Sequence, residues 1–118
     1  MTTFCAINGE IVLPATGVPD MAASVLVQIE DISRADASSI SIAEQRQYRV
    51  ILRAGAVLPF TVQVPADQLN PRNLYSVRVH IDVTGSGEVE VGDLVTTQTF
   101  PVLTRGYPQT VSIPVHCV

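Results

Sequence analysis

The chain has 118 residues, 47% of them hydrophobic and only 15% charged, with a net charge of −4. That length suits one domain built on one core, so residues 1–118 read as a single unit. All seven basic residues are arginines and the acids outnumber them. This argues against a nucleic-acid partner, since phosphate binding needs concentrated positive charge.

No apolar run reaches the roughly 20 residues that a membrane-spanning helix requires. The opening Met-Thr-Thr-Phe-Cys lacks the charged and long apolar segments of a secretory signal. Two readings follow: a cytoplasmic protein, or an envelope or periplasmic one whose leader has been removed.

Alternation of apolar and polar residues dominates the chain and predicts strands with one buried face. The first strand is expected over residues 5–13, and Pro14-Ala15-Thr16-Gly17-Val18-Pro19-Asp20 ends it as a turn. Residues 24–33 form the next, with Val25, Val27 and Ile29 on one face. Residues 35–47 are the only stretch rich in helix formers. Ser38-Ser39 and the isolated isoleucines favour a loop and a short strand around Ile40 and Ile42. A separate strand is expected at residues 48–53.

Phe60-Thr61-Val62-Gln63-Val64 alternates again, and the polar run 67–73 with its Asn-Pro step is a loop. The clearest strand is 75–84, apolar at every odd position. Gly85-Ser86-Gly87 reads as a hairpin into a strand at Glu88-Val89-Glu90-Val91. Gly92-Asp93 then turns into residues 94–100, and 110–116 is the last strand. About seven to eight short antiparallel strands with turns between them predict an all-β sandwich.

Chemistry-bearing patterns are sparse. His80 and His116 share the polar parity of their strands, so both are expected to face solvent. Zinc needs three or four ligands, often at short spacings, and no such spacing occurs, so no metal or cofactor is expected. There is no Gly-x-Ser-x-Gly elbow, and Gly85-Ser86-Gly87 leads to a strand rather than the helix a phosphate loop needs. Asp31, Asp36 and Glu44 lack calcium-loop spacing and read as solvated acids. No catalytic residue is assigned, and an enzyme is not expected. Cys5 and Cys117 both fall on core-facing parity. Antiparallel first and last strands would bring them within disulfide reach; parallel ones would keep them as free thiols.

Several stretches in order resemble the type III secretion lipoprotein chaperone (pilotin) family, which includes the YbaY-type envelope lipoproteins. They are Ile7-Asn8-Gly9-Glu10-Ile11, the strand from Ala23 leading to Asp31-Ile32-Ser33-Arg34-Ala35-Asp36, Ile42-Ala43-Glu44-Gln45, Leu58-Pro59-Phe60, Tyr75-Ser76-Val77-Arg78-Val79, and Phe100-Pro101-Val102-Leu103-Thr104-Arg105-Gly106. The resemblance spans about residues 7–115. It implies a prealbumin-like (immunoglobulin-like) sandwich in a non-catalytic bacterial envelope protein that binds a protein partner, such as an outer-membrane secretion component.

The chain departs from the pattern in three places. No lipobox precedes Cys5, residues 47–56 read as an extra hairpin, and residues 88–97 lack an expected aromatic. Arg49, Ile51 and Arg53 are the expected partner contact on an edge strand, an apolar residue between two arginines. A homo-oligomer is a further expectation. The alternatives are a small-ligand carrier, for which three Tyr and three Phe are a thin lining, and a cytosolic interaction domain.

Overall fold

The computed structural model describes residues 3–34 and 38–118. Met1, Thr2, Ala35, Asp36 and Ala37 lie outside the described residues, and with them the last acid of the Asp31–Asp36 motif. The strands are β1 (Phe4–Val12), β2 (Met21–Asp31), β3 (Ile40–Ile51), β4 (Val57–Pro65), β5 (Tyr75–Asp82), β6 (Leu94–Val95), β7 (Pro101–Val102), β8 (Thr110–Pro114) and β9 (His116–Cys117), with one 3₁₀ turn at Ala66–Gln68.

The architecture is an all-β sandwich. The first sheet has the order β4-β1-β8, and the second β3-β2-β5-β6-β9 with β7 also paired to β5. Every pairing is antiparallel except β1 with β8. The alternation sets the core: Ile7 and Ile11 from β1, Val25, Val27 and Ile29 from β2, Val62 and Val64 from β4, and Tyr75, Val77, Val79 and Ile81 from β5 are all buried. Gly9 lies opposite Phe60. A Cβ there would fall 2.7 Å from the Phe60 ring and 2.5 Å from the Val111 carbonyl oxygen, so the absent side chain makes room for the ring.

Four expectations are corrected. Residues 40–51 form one strand, not a short strand and a separate one, because the turn-forming serines precede Ile40 and no breaker interrupts the run. Residues 47–56 are not a hairpin: β3 and β4 belong to different sheets, and the turn at Gly55 (φ 72°) carries the chain between them. Residues 88–91 form no strand. Amides that a ladder would use go to carboxylates instead: Gly85 and Gly87 donate to Asp82, and Val83 and Glu90 to Asp93.

The final strand is likewise split. β8 pairs with β1, then the chain crosses at the buried Val115 so that β9 pairs with β6.

Candidate functional site

Two regions carry polar groups that the core does not need. One is the free edge of the second sheet at β3. The other is the loop between β5 and β6, laid over that sheet's outer face.

β3 presents two different faces. Gln45 and Gln47 lie opposite Val27 and Val25 of the core row and reach across to β4. Gln47 Nε2 donates to the Pro59 carbonyl at 3.3 Å, and the Thr61 amide donates to Gln45 Oε1 at 3.3 Å. These side chains bridge the two sheets where no ladder joins them. The opposite face and the strand end are exposed, with Tyr48 71% and Ile51 64% accessible, and Met21 across from Ile51 at 51%. Arg49, Ile51 and Arg53 are all exposed. Arg49 takes φ 54°, in the left-handed region. That is costly for a non-glycine residue and breaks strict alternation at the end of β3.

His80 does not face open solvent as its parity suggested. Its side chain is 13% exposed, and Nε2 lies 2.7 Å from Asp93 Oδ2. Asp93, 1% exposed, also accepts the Val83 amide on Oδ1 and the Glu90 amide on Oδ2. Burial pushes its pKa up, but the donors from His80, Val83 and Glu90 outweigh that and hold the carboxyl below its usual range. An ionised Asp93 only accepts, so His80 Nε2 carries the proton in this pair. Asp82, 4% exposed, accepts the Gly85 and Gly87 amides.

Ligand atoms of His80, Asp82 and Asp93 lie within 4.8 Å of one another, a spacing that a cation could bridge. All four carboxylate oxygens already receive a backbone amide, so the arrangement closes the loop over the sheet unaided. Sequence reasoning missed this cluster. Its signal was the pair of aspartates flanking a glycine-rich run.

The Asp31 motif is a second clasp. Asp31 accepts the Ser33 amide and the Asn73 side chain, while Ser33 Oγ accepts the Leu74 amide. Burial raises the Asp31 pKa, but the bonds from Ser33 and Asn73 with the Arg34 charge outweigh that and leave it below its usual value. Glu44 stands apart on β3 opposite Gln28, whereas Asp31 lies opposite Ile40.

His116 is exposed. Both cysteines are free: Cys5 is half-buried at the start of β1, while Cys117, exposed in the other sheet, lies 3.6 Å from the Gly17 carbonyl. The expected core-facing Cys117 fails because the chain changes sheets at Val115. An open groove of about 580 Å³ runs along the first sheet, lined by Gly9, Val57, Pro59 and Val111 among others, and neither histidine borders it.

The profile of the type III secretion system lipoprotein chaperone (YscW) family matches residues 4–115. Among solved structures, an alternative pilotin from the type II secretion system of Vibrio cholerae is similar, with 24% identity, a TM-score of 0.79 and 98% of each chain covered. At that identity the likeness speaks for the fold. No curated protein sequence matches.

Proposed function

The chain belongs to the type III secretion system lipoprotein chaperone family, and from that membership we propose a non-catalytic, secretion-associated chaperone of the bacterial envelope that binds an outer-membrane secretion component. The observation that carries this reading is the family match over residues 4–115, which takes in nearly the whole sandwich. The exposed end of β3 supports a contact there. Arg49, Ile51 and Arg53 are all exposed there, an apolar residue between two arginines in the sequence, the composition of a small protein-binding patch, beside an edge strand that an extended partner segment can complete.

The test is capture from separated cytosolic and envelope fractions with wild type and Ile51→Asp as bait. Ile51 is exposed, so the substitution should change stability by no more than about 0.5 kcal/mol. Wild type should retain an envelope component and the variant should lose it. Retention of nothing reproducible from the envelope fraction overturns the reading. Equal retention by the variant removes Ile51 from the contact.

A further inference from the structure

We propose that a second copy of this chain pairs antiparallel along β3, about a twofold axis through Gln45, so that Glu44 of each copy lies opposite Arg46 of the other. The inference goes beyond the partner reading; the paired stretch takes in Arg49, opposite Ser41, and leaves Ile51 and Arg53 outside it.

β3 is the outermost strand of the second sheet and is 12 residues long. Its backbone pairs with β2 on one side. On the other side, no backbone bond reaches residues 40–51 among the described residues; β4 approaches there only through the Gln45 and Gln47 side chains. Protein edges are normally blunted by charged side chains, above all lysine, by proline, by bulges, by a short span or by a covering helix or loop. β3 has no lysine and no proline. Its irregularities, the bulge at Ile42 where the register shifts opposite Ile29 and Glu30 and the left-handed Arg49, leave residues 43–47 as the regular centre of the strand.

The charges select the register. Opposed residues in an antiparallel pair must turn their backbone groups the same way, so the axis of a symmetric pair passes through a residue. An axis at Glu44 sets two glutamates face to face, and an axis at Arg46 sets two arginines face to face. Like charges directly opposed are unfavourable. An axis at Gln47 sets Arg46 against Tyr48 and leaves Glu44 against Val50. An axis at Gln45 opposes Glu44 and Arg46 twice, once on each side of the centre. Both side chains are exposed, and neither has an ion-pair partner among the described residues. Gln45 itself has Oε1 occupied by Thr61 and Gln47. On the axis it meets the second copy's Gln45.

This is an isologous contact of the kind that closes a dimer and cannot propagate into a fibre. Position 51 falls opposite position 39, outside β3, so the Ile51 ends of the two copies stay open at opposite ends of the paired stretch.

The test is light scattering on the purified full chain at high micromolar concentration, with Glu44→Arg, Arg46→Glu and an equal mixture of the two. Wild type should be dimeric. Each variant alone should be monomeric, because each places like charges opposite one another. The mixture should recover a heterodimer, since arginine at 44 then meets glutamate at 46 on one side of the axis and the native Arg46 meets the native Glu44 on the other. That recovery also shows that both variants fold. A monomeric wild type overturns the proposal, as do variants that stay dimeric alone and a mixture that stays monomeric. A partner added as a strand would compete with the second copy for this edge, whereas the substitutions at 44 and 46 read out the dimer and Ile51→Asp reads out the capture, so either proposal can fail without the other.

Discussion

Asp93 has a bond inventory that a single substitution should expose. It gathers the His80 side chain and the Val83 and Glu90 amides in a nearly dry setting. Asp93→Ala leaves those donors without an acceptor and should cost about 3 kcal/mol in urea unfolding, since each unmet buried donor costs about 1–3 kcal/mol. The pH dependence follows from the direction of the shift. Asp93 and Asp31 are both held below their ordinary value in the folded state, so the unfolded chain takes up protons first as pH falls. Their contribution is complete above the unfolded value, about 3.9, and is lost as pH drops through the folded one. Urea midpoints should therefore hold from neutrality down to about pH 5 and fall below it, and Asp93→Asn should flatten that fall. Gly9 is constrained in the opposite sense, by crowding. Gly9→Ala puts a methyl against a backbone oxygen that cannot yield, and overpacking of this kind costs about 1–3 kcal/mol, measurable as a lower midpoint at unchanged fold by circular dichroism.

At the level of elements, the parallel pairing of β1 with β8 decides the cysteines. Cys5 sits at the β4-facing start of β1, opposite Val64, and Cys117 lies past the crossover in the second sheet. A thiol titration of folded protein should find Cys117 reactive and Cys5 slow. Denaturation without reductant should expose two thiols, and reductant should leave the melting curve unchanged. β5 was legible because its odd positions are all apolar, and period two is a property of the strand itself. The 83–93 loop was not, because Glu88-Val89-Glu90-Val91 alternates as well as any strand does. What overrides the alternation is the pair of aspartates that capture the loop amides, and side-chain competition of that kind leaves no periodic trace. The same limit hid His80, whose parity marks the outer face of the sheet but says nothing of a loop folded over it. β3 shows the converse. Residues 40–51 alternate poorly because Gln45 and Gln47 occupy inward positions, and only the approach of β4 gives those amides partners.

Across the whole molecule, the sandwich was readable from strand count and spacing, while its closure was not. Turn chemistry reports which strands are joined by tight loops, but the chain ends meet through pairing between β1 and β8, more than a hundred residues apart at Asn8 and Thr110. That closure makes the last strands essential to the first sheet. Without residues 110–118 the first sheet is reduced to β4 and β1, and a lone two-stranded ribbon is marginal at best. The buried Ile113 and Val115 leave the core with them, uncovering the inner faces of both sheets, and β6 loses its β9 neighbour. A chain ending at residue 109 should therefore show no cooperative thermal transition. Ile113→Ala in the full chain, a cavity in a completed sheet, should cost about 2–5 kcal/mol and keep its cooperativity. A truncated chain that still melted cooperatively would mean that β2, β3 and β5 hold a core of their own, with the β1–β4 ribbon docked on it as a passive cover.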